Sequence, residues 1–197
     1  RWATQPIDAQ PATWAARLGM IRRFAKYLSA VDPRTEIPPQ GLLPHRYHRK
    51  PPYIYSDDEI VRLIQAAKQL PSPLGLRAAT YSTLFGLISV TGMRISEPIN
   101  LDCEDVDLAH GIITVRQAKF GKSRLVPVHP STQGVLRRYA SLRDRIFPRP
   151  GTPSFFLSER GKRLTDCNVR WTFVQLSRQV GLRGHSNPRG PRIHDLR

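Results

Sequence analysis

This chain is poor in several things, and each shortage excludes something. It has two cysteines, Cys103 and Cys167, far apart and in no Cys-x-x-Cys pairing. That argues against a disulfide scaffold or a cysteine zinc module and fits a reducing compartment. Hydrophobic runs are short. The longest, Tyr81 to Val90, has the length of a core helix and falls below the roughly 20 residues of a membrane span. His-Glu-x-x-His, a Walker loop, Gly-x-Ser-x-Gly and Gly-x-Gly-x-x-Gly are all missing, so the usual metal, nucleotide and serine-nucleophile templates find nothing to match. Acidic residues are scarce: 15 Asp and Glu face 31 Lys and Arg, a net charge of +16.

What is present starts from that imbalance. A pI near 11.0 means a surface that repels itself unless a polyanion shares it. Nucleic acid is the leading candidate, ahead of an anionic membrane surface. The length of 197 residues and hydrophobic content of 40% suit one packed domain, or one domain with part of another. The chain begins on Arg1 rather than Met, without a secretory signal pattern, and stops on "RIHDLR". Both ends read as cut, and a fragment is the expectation.

Residues 12–29 place Trp14, Leu18, Ile21, Ala25 and Leu28 at alternating spacings of four and three, the apolar stripe of a helix. Arg22, Arg23 and Lys26 fall off the stripe and make a basic outer surface, solvated or phosphate-contacting. From Val31 to Tyr55 the pattern dissolves, with six prolines in the twenty-four residues 32–55. Proline removes amide donors, so a linker between two lobes is expected. Its basic centre, "HRYHRK", offers Arg46, Arg49 and Lys50 to a phosphate backbone. His45 and His48 lack a partner ligand nearby and read as solvated.

Ser56 opens the second lobe with a capping box to Glu59, and a helix follows to about Leu70. The next, Leu76 to Thr91, is apolar nearly all round and is expected at the centre of the lobe, with Gly92 as its left-handed cap. The period then changes. Strands are expected over Ile112–Arg116 and Arg124–Val128, joined by a turn at 119–122. A helix from about Pro130 follows, then a short apolar segment "SFFLS" that could be a further strand. A last helix is capped by Thr165 and ends before Gly181. The class is α+β, mostly α, with a small antiparallel sheet or hairpin.

The residues that could carry chemistry are cations in demanding places. Arg94 follows the buried helix through "TGMRISE", at the mouth of a new helix expected at Ser96, where anions bind. Lys119 lies at the hairpin tip. His194 and Arg197, three apart, share a face if helical. Guanidinium forks neutralise phosphate oxygens, His moves a proton and Lys protonates a leaving alkoxide. Asp102, Glu104, Asp105 and Asp107 could bind Mg²⁺, but read better as a solvated acidic loop orienting neighbouring cations.

Taken together, these segments resemble the tyrosine recombinase (phage integrase) family. "TGMRISEPINL" is similar to its first box, "TVRQAKFGKSRLVPV" to its hairpin, with the lysine five residues before the Arg of "R-x-VP", and "HDLR" to the H-x-x-R of its second box. Pro98 departs from the pattern, standing where the family more often has an aliphatic residue. The resemblance covers about Ser56 to the end; residues 1–30 are similar, less distinctively, to the end of the family's helical core-binding domain.

The resemblance implies residues 1–30 as core-binding domain, 31–55 as linker and 56–197 as an incomplete catalytic domain. It implies a DNA recombinase that cleaves and rejoins strands through a 3′-phosphotyrosyl link without metal, ATP or other cofactor. Arg94, Lys119, His194 and Arg197 would be catalytic, with Lys122 and Arg124 added to the DNA-contacting cations and Glu97 in a supporting role. Tyr27, Tyr47, Tyr53, Tyr55, Tyr81 and Tyr139 all precede the second box, so none corresponds to the nucleophile. The implied partners are double-stranded DNA and further copies of the chain, as a synaptic tetramer when complete, with no membrane, in a bacterial or phage-infected cytoplasm. A type IB topoisomerase and a non-catalytic DNA-binding regulator of the same fold are the alternatives.

Overall fold

The computed structural model describes residues 2–5, 8–43, 51–116, 121–184 and 190–196. The chain divides into two compact units, Arg1–Pro51 and Pro52–Arg197.

In the first unit, Pro11 starts helix α1 (Pro11–Leu28), where a missing N–H costs nothing. Ala25 is buried on the expected stripe, but Leu28 is exposed, as are Met20, Phe24 and Tyr27. Arg22 departs from the expected open basic surface. Its Nε and Nη2 donate to the carbonyls of Pro38 and Pro39 at 2.8 and 2.6 Å, holding the proline-rich stretch against α1.

The second unit includes Tyr53 and Tyr55 ahead of its first helix. Tyr53 donates to Glu59 at 2.6 Å and meets Tyr55 edge-on, 4.9 Å between ring centroids. Helix α2 (Asp57–Lys68) carries the full capping box between Ser56 and Glu59. Helix α3 (Leu76–Thr91) is the centre of the core: Leu76, Leu84, Phe85, Leu87 and Ile88 are all 2% exposed or less. Gly75, at φ 76°, precedes it and has no side chain to cap it. The cap comes from Glu159, whose carboxylate accepts the N–H groups of Leu74 and Arg77, both at 2.6 Å, and the hydroxyl of Ser72 at 2.8 Å. At the other end Gly92 adopts φ 65° and its N–H reaches the Ile88 carbonyl, which only a residue without Cβ does cheaply.

A short helix α4 (Ser96–Ile99) follows, with Pro98 inside it and buried. Then come β1 (Val106–Asp107), β2 (Ile112–Val115) and β3 (Arg124–Pro127), an antiparallel sheet in the order β1-β2-β3. The register pairs Ile113 with Val106 and Val126, and Val115 with Arg124. The β2–β3 hairpin is the expected one. β1 was hidden in the acidic run, because two residues are too few to display a period.

Helices α5 (Pro130–Ile146) and α6 (Asp166–Gln179) complete the unit. The Thr165 hydroxyl caps α6 by accepting from the Asn168 N–H. "SFFLS" corrects an expectation. It joins no sheet and makes only isolated bridges, Ser154 to Asp102 and Leu157 to Arg163. Its apolarity serves the core instead: Phe155, Phe156 and Leu157 are buried, and the Tyr139 hydroxyl accepts the Leu157 N–H at 2.9 Å. The architecture is mostly helical around one small antiparallel sheet, α+β as expected.

Candidate active site

Two short turns position the candidate residues of the second unit. The first grows out of α3. After the left-handed Gly92 the chain drops Met93 into the core, fully buried, so Arg94 starts from an anchored backbone. Its side chain is 41% exposed. The N–H of Arg94 donates to Glu97 Oε2 at 2.8 Å and its Nη1 to Oε1 at 3.2 Å.

Glu97 is buried, with a side chain 5% exposed. It also accepts Nη1 and Nη2 of Arg124 from β3, at 2.9 and 2.7 Å. Burial alone would raise this carboxyl. The donors of Arg124, then the backbone and guanidinium of Arg94, outweigh that and hold it at about 2. The carboxylate is therefore ionised at any physiological pH.

The second turn is the 3₁₀ turn Ile193–Leu196. Ile193 and Leu196 are buried and His194 between them is exposed, so two apolar anchors fix one polar side chain. The turn packs against α3, as does α4. Asp195 caps it: its carboxylate accepts the N–H of Arg192 at 2.9 Å and its guanidinium at 3.0 and 3.2 Å. Burial pushes the Asp195 carboxyl up, but these bonds and the positive surroundings leave it below the ordinary Asp value. Arg183 braces the approach through Nη2, donating to the carbonyls of Gly190 and Pro191 at 3.0 and 2.9 Å. Tyr55 donates to the Arg192 carbonyl at 3.3 Å.

Lys119 and Arg197 lie outside the described residues, as do Arg46, Arg49 and Lys50. Lys122 is exposed in the β2–β3 connection, just before β3, and Arg23 and Lys26 are exposed on α1. The carboxylates of the acidic loop are taken up by neighbouring side chains. Asp102 binds Arg163, Asp105 and Glu104 bind Arg116, and Asp107 pairs with His110. Among the described residues no group of three or more potential metal ligands gathers. Sequence reasoning missed Asp195, Tyr55 and Arg183. Their roles depend on contacts with the second turn, and neither an Arg-x-x-Asp spacing nor a Tyr 137 residues away marks them in advance.

The chain belongs to the phage integrase family, the tyrosine recombinases, whose family model matches residues 54–197. The protein y4rB of Sinorhizobium fredii is 49% identical over 200 residues, covering 100% of this chain and 64% of that protein. The tyrosine recombinase XerC of Serratia marcescens is 29% identical, covering 91% of this chain and 56% of XerC. The chain thus spans about three-fifths of these relatives' length. Two solved structures share the fold. The lambda integrase tetramer bound to a Holliday junction matches with a TM-score of 0.67 at 20% identity, covering 98% of this chain and 55% of that one. XerH bound to a palindromic difH substrate matches at 0.68 and 18%, covering 99% and 55%. No helix among the described residues is long and apolar enough to cross a membrane.

Proposed function

We propose that this chain carries most of the catalytic domain, residues 56–197, of a site-specific DNA recombinase, preceded by the end of a core-binding domain (1–30) and a linker (31–55). The observation that carries the reading is Arg94: a half-exposed guanidinium on a backbone anchored in the core and held by a buried carboxylate. Such a preorganised cation stabilises charge that develops on a phosphate without reorganising during the reaction.

In the proposed reaction a tyrosine phenolate attacks the scissile phosphorus. The P–O5′ bond breaks, leaving a 3′-phosphotyrosyl link and a 5′-oxygen that takes its proton from Lys119. Attack by a 5′-hydroxyl of the partner strand reverses these events and releases the tyrosine. Arg94 and Arg197 neutralise the phosphorane, and His194 assists proton transfer or positions the phosphate. None of Tyr27, Tyr47, Tyr53, Tyr55, Tyr81 or Tyr139 takes the attacking role on this reading. The nucleophile belongs to the part of the relatives' length that this chain does not span. Residues 1–197 alone therefore bind duplex DNA and leave it uncut, and the full-length protein acts as an oligomer on DNA.

The test is a covalent trap. Full-length protein is incubated with a labelled duplex nicked next to the exchange point, and detergent-resistant protein–DNA adducts are scored. Adducts that vanish when the C-terminal tyrosine is changed to Phe support the reading; their persistence in that variant refutes it.

A further inference from the structure

Arg124 was grouped by sequence with the DNA-contacting cations, yet its side chain is committed elsewhere. It sits on β3 opposite Val115 and spends both terminal nitrogens on Glu97, at 2.9 and 2.7 Å. Arg94 supplies two more donors to the same carboxylate, its backbone N–H and its Nη1. A carboxylate offers about four lone-pair sites, and these four donors fill them. The three charges sum to one positive charge, on two guanidiniums that are each about two-fifths exposed, 41% for Arg94 and 40% for Arg124.

We infer that Arg124 is a positioning residue for the proposed reaction: by neutralising Glu97 from the sheet side, it leaves the charge of Arg94 available to the phosphate. Without Arg124, the buried carboxylate keeps only Arg94 as a cationic partner among the described residues. The pair then closes on itself as a neutral unit, because an uncompensated buried charge draws the nearest cation inward. Arg94 would still be present and the fold still standing, but its guanidinium would face Glu97 in place of the phosphate. The two-pronged fit also explains why the position is an Arg: a lysine can restore the charge but not the fork that fixes the carboxylate plane.

This inference rests on the proposed recombinase reading, and the experiment separates the two. Full-length wild type, Arg124→Gln, Arg124→Lys and the double variant Glu97→Gln/Arg124→Gln are compared for single-turnover adduct formation, for the salt dependence of duplex binding and for the pH profile of cleavage. The Glu97 carboxyl is also titrated by carbon-13 NMR.

Arg124→Gln is expected to slow adduct formation at least tenfold. Affinity should stay within threefold and the log–log salt slope should not change. The Glu97 titration should move to higher pH, and cleavage by Arg124→Gln should recover as that carboxyl takes its proton and releases Arg94. Arg124→Lys recovers part of the rate. The double variant outpaces Arg124→Gln, because removing the carboxylate releases Arg94.

A phosphate-gripping Arg124 gives the opposite pattern. The salt slope falls by about 0.9, cleavage tracks occupancy, the Glu97 titration stays put and the double variant gains nothing. That pattern overturns the inference. A wild type that forms no adduct sinks the recombinase reading instead, and the salt slope and carboxyl titration still decide the role of Arg124. If Arg124→Gln fails to fold, the same readouts on Arg124→Lys decide it.

Discussion

The hydroxyl of Tyr55 donates to the carbonyl of Arg192, 137 residues later in the chain, at 3.3 Å. This bond ties the first residues of the second unit to the turn that presents His194. Burial, then the negative charge of Asp195, raises the phenol above its ordinary value, so it remains a donor throughout the neutral range. A tyrosine among linker residues thus becomes a clip on the candidate site.

Removing only that hydroxyl should therefore loosen the site more than the fold. Tyr55→Phe is expected to cost about 1 kcal/mol. Amide exchange at residues 193–196 should accelerate, while that of α3 changes only as global stability does. Equal acceleration in both would show that the bond supports the whole unit and has no local role.

Arg94→Ala in the full-length protein should lower covalent adduct formation by about 100-fold or more, with duplex affinity within threefold of wild type. Parallel loss of both would assign Arg94 to folding. Single-turnover trapping beside equilibrium binding reads the two separately.

Glu97 has the sign of an acid-labile support. Its folded carboxyl lies near 2, below the ordinary 4.5. Its contribution is thus fully present above about pH 4.5 and is lost as pH falls toward 2. Glu97→Gln should cost on the order of 2 kcal/mol near neutrality. Urea denaturation from pH 6 to 2 should then give a shallower loss of stability for the variant than for wild type. Parallel curves would mean the carboxylate gains nothing from its two arginines.

Adjacent arginines on α1 should behave differently. Arg23 is exposed, and Arg23→Ala should lower the log–log salt slope of duplex binding by about 0.9 if it meets a phosphate. Arg22 is held by the Pro38 and Pro39 carbonyls. Arg22→Ala should increase proteolysis within residues 33–43, an effect that Arg23→Ala leaves out. Identical protease patterns would remove the clamp from the account.

Glu159→Gln should destabilise the second unit by about 1–2 kcal/mol, because the entry to α3 loses the charged acceptor for the amides of Leu74 and Arg77. Thermal unfolding measures it. No loss would mean that solvent satisfies those amides equally well.

How much of this was legible in advance depended on distance along the chain. Helices α2, α3 and α6 were readable because their caps are local: Ser56 with Glu59, Gly92 after Thr91, and Thr165 with Asn168. The hairpin was readable because β-branched residues flank a glycine turn. The segment 154–158 was misread because an apolar run looks the same whether it pairs in a sheet or simply fills a core. The site was half legible. Residue types named Arg94 and His194, but the partners that orient them arrive from β3, from Asp195 and from Tyr55. The resemblance placed Arg124 with the DNA contacts, since a sequence does not reveal which carboxylate a guanidinium will find. The trans cap from Glu159 to Arg77, across 82 residues, left no local trace at all.

Met93 carries a consequence of its own. It is fully buried in the position immediately before Arg94, so the backbone that carries the guanidinium cannot shift far unless a methionine is pulled from the middle of the core. The opening free energy at this point approaches that of unfolding the whole unit. Heating should therefore not free the Arg94 backbone while the domain stays folded. That turn and the domain should melt as one event, and a core substitution beneath α3 should lower cleavage and melting temperature together.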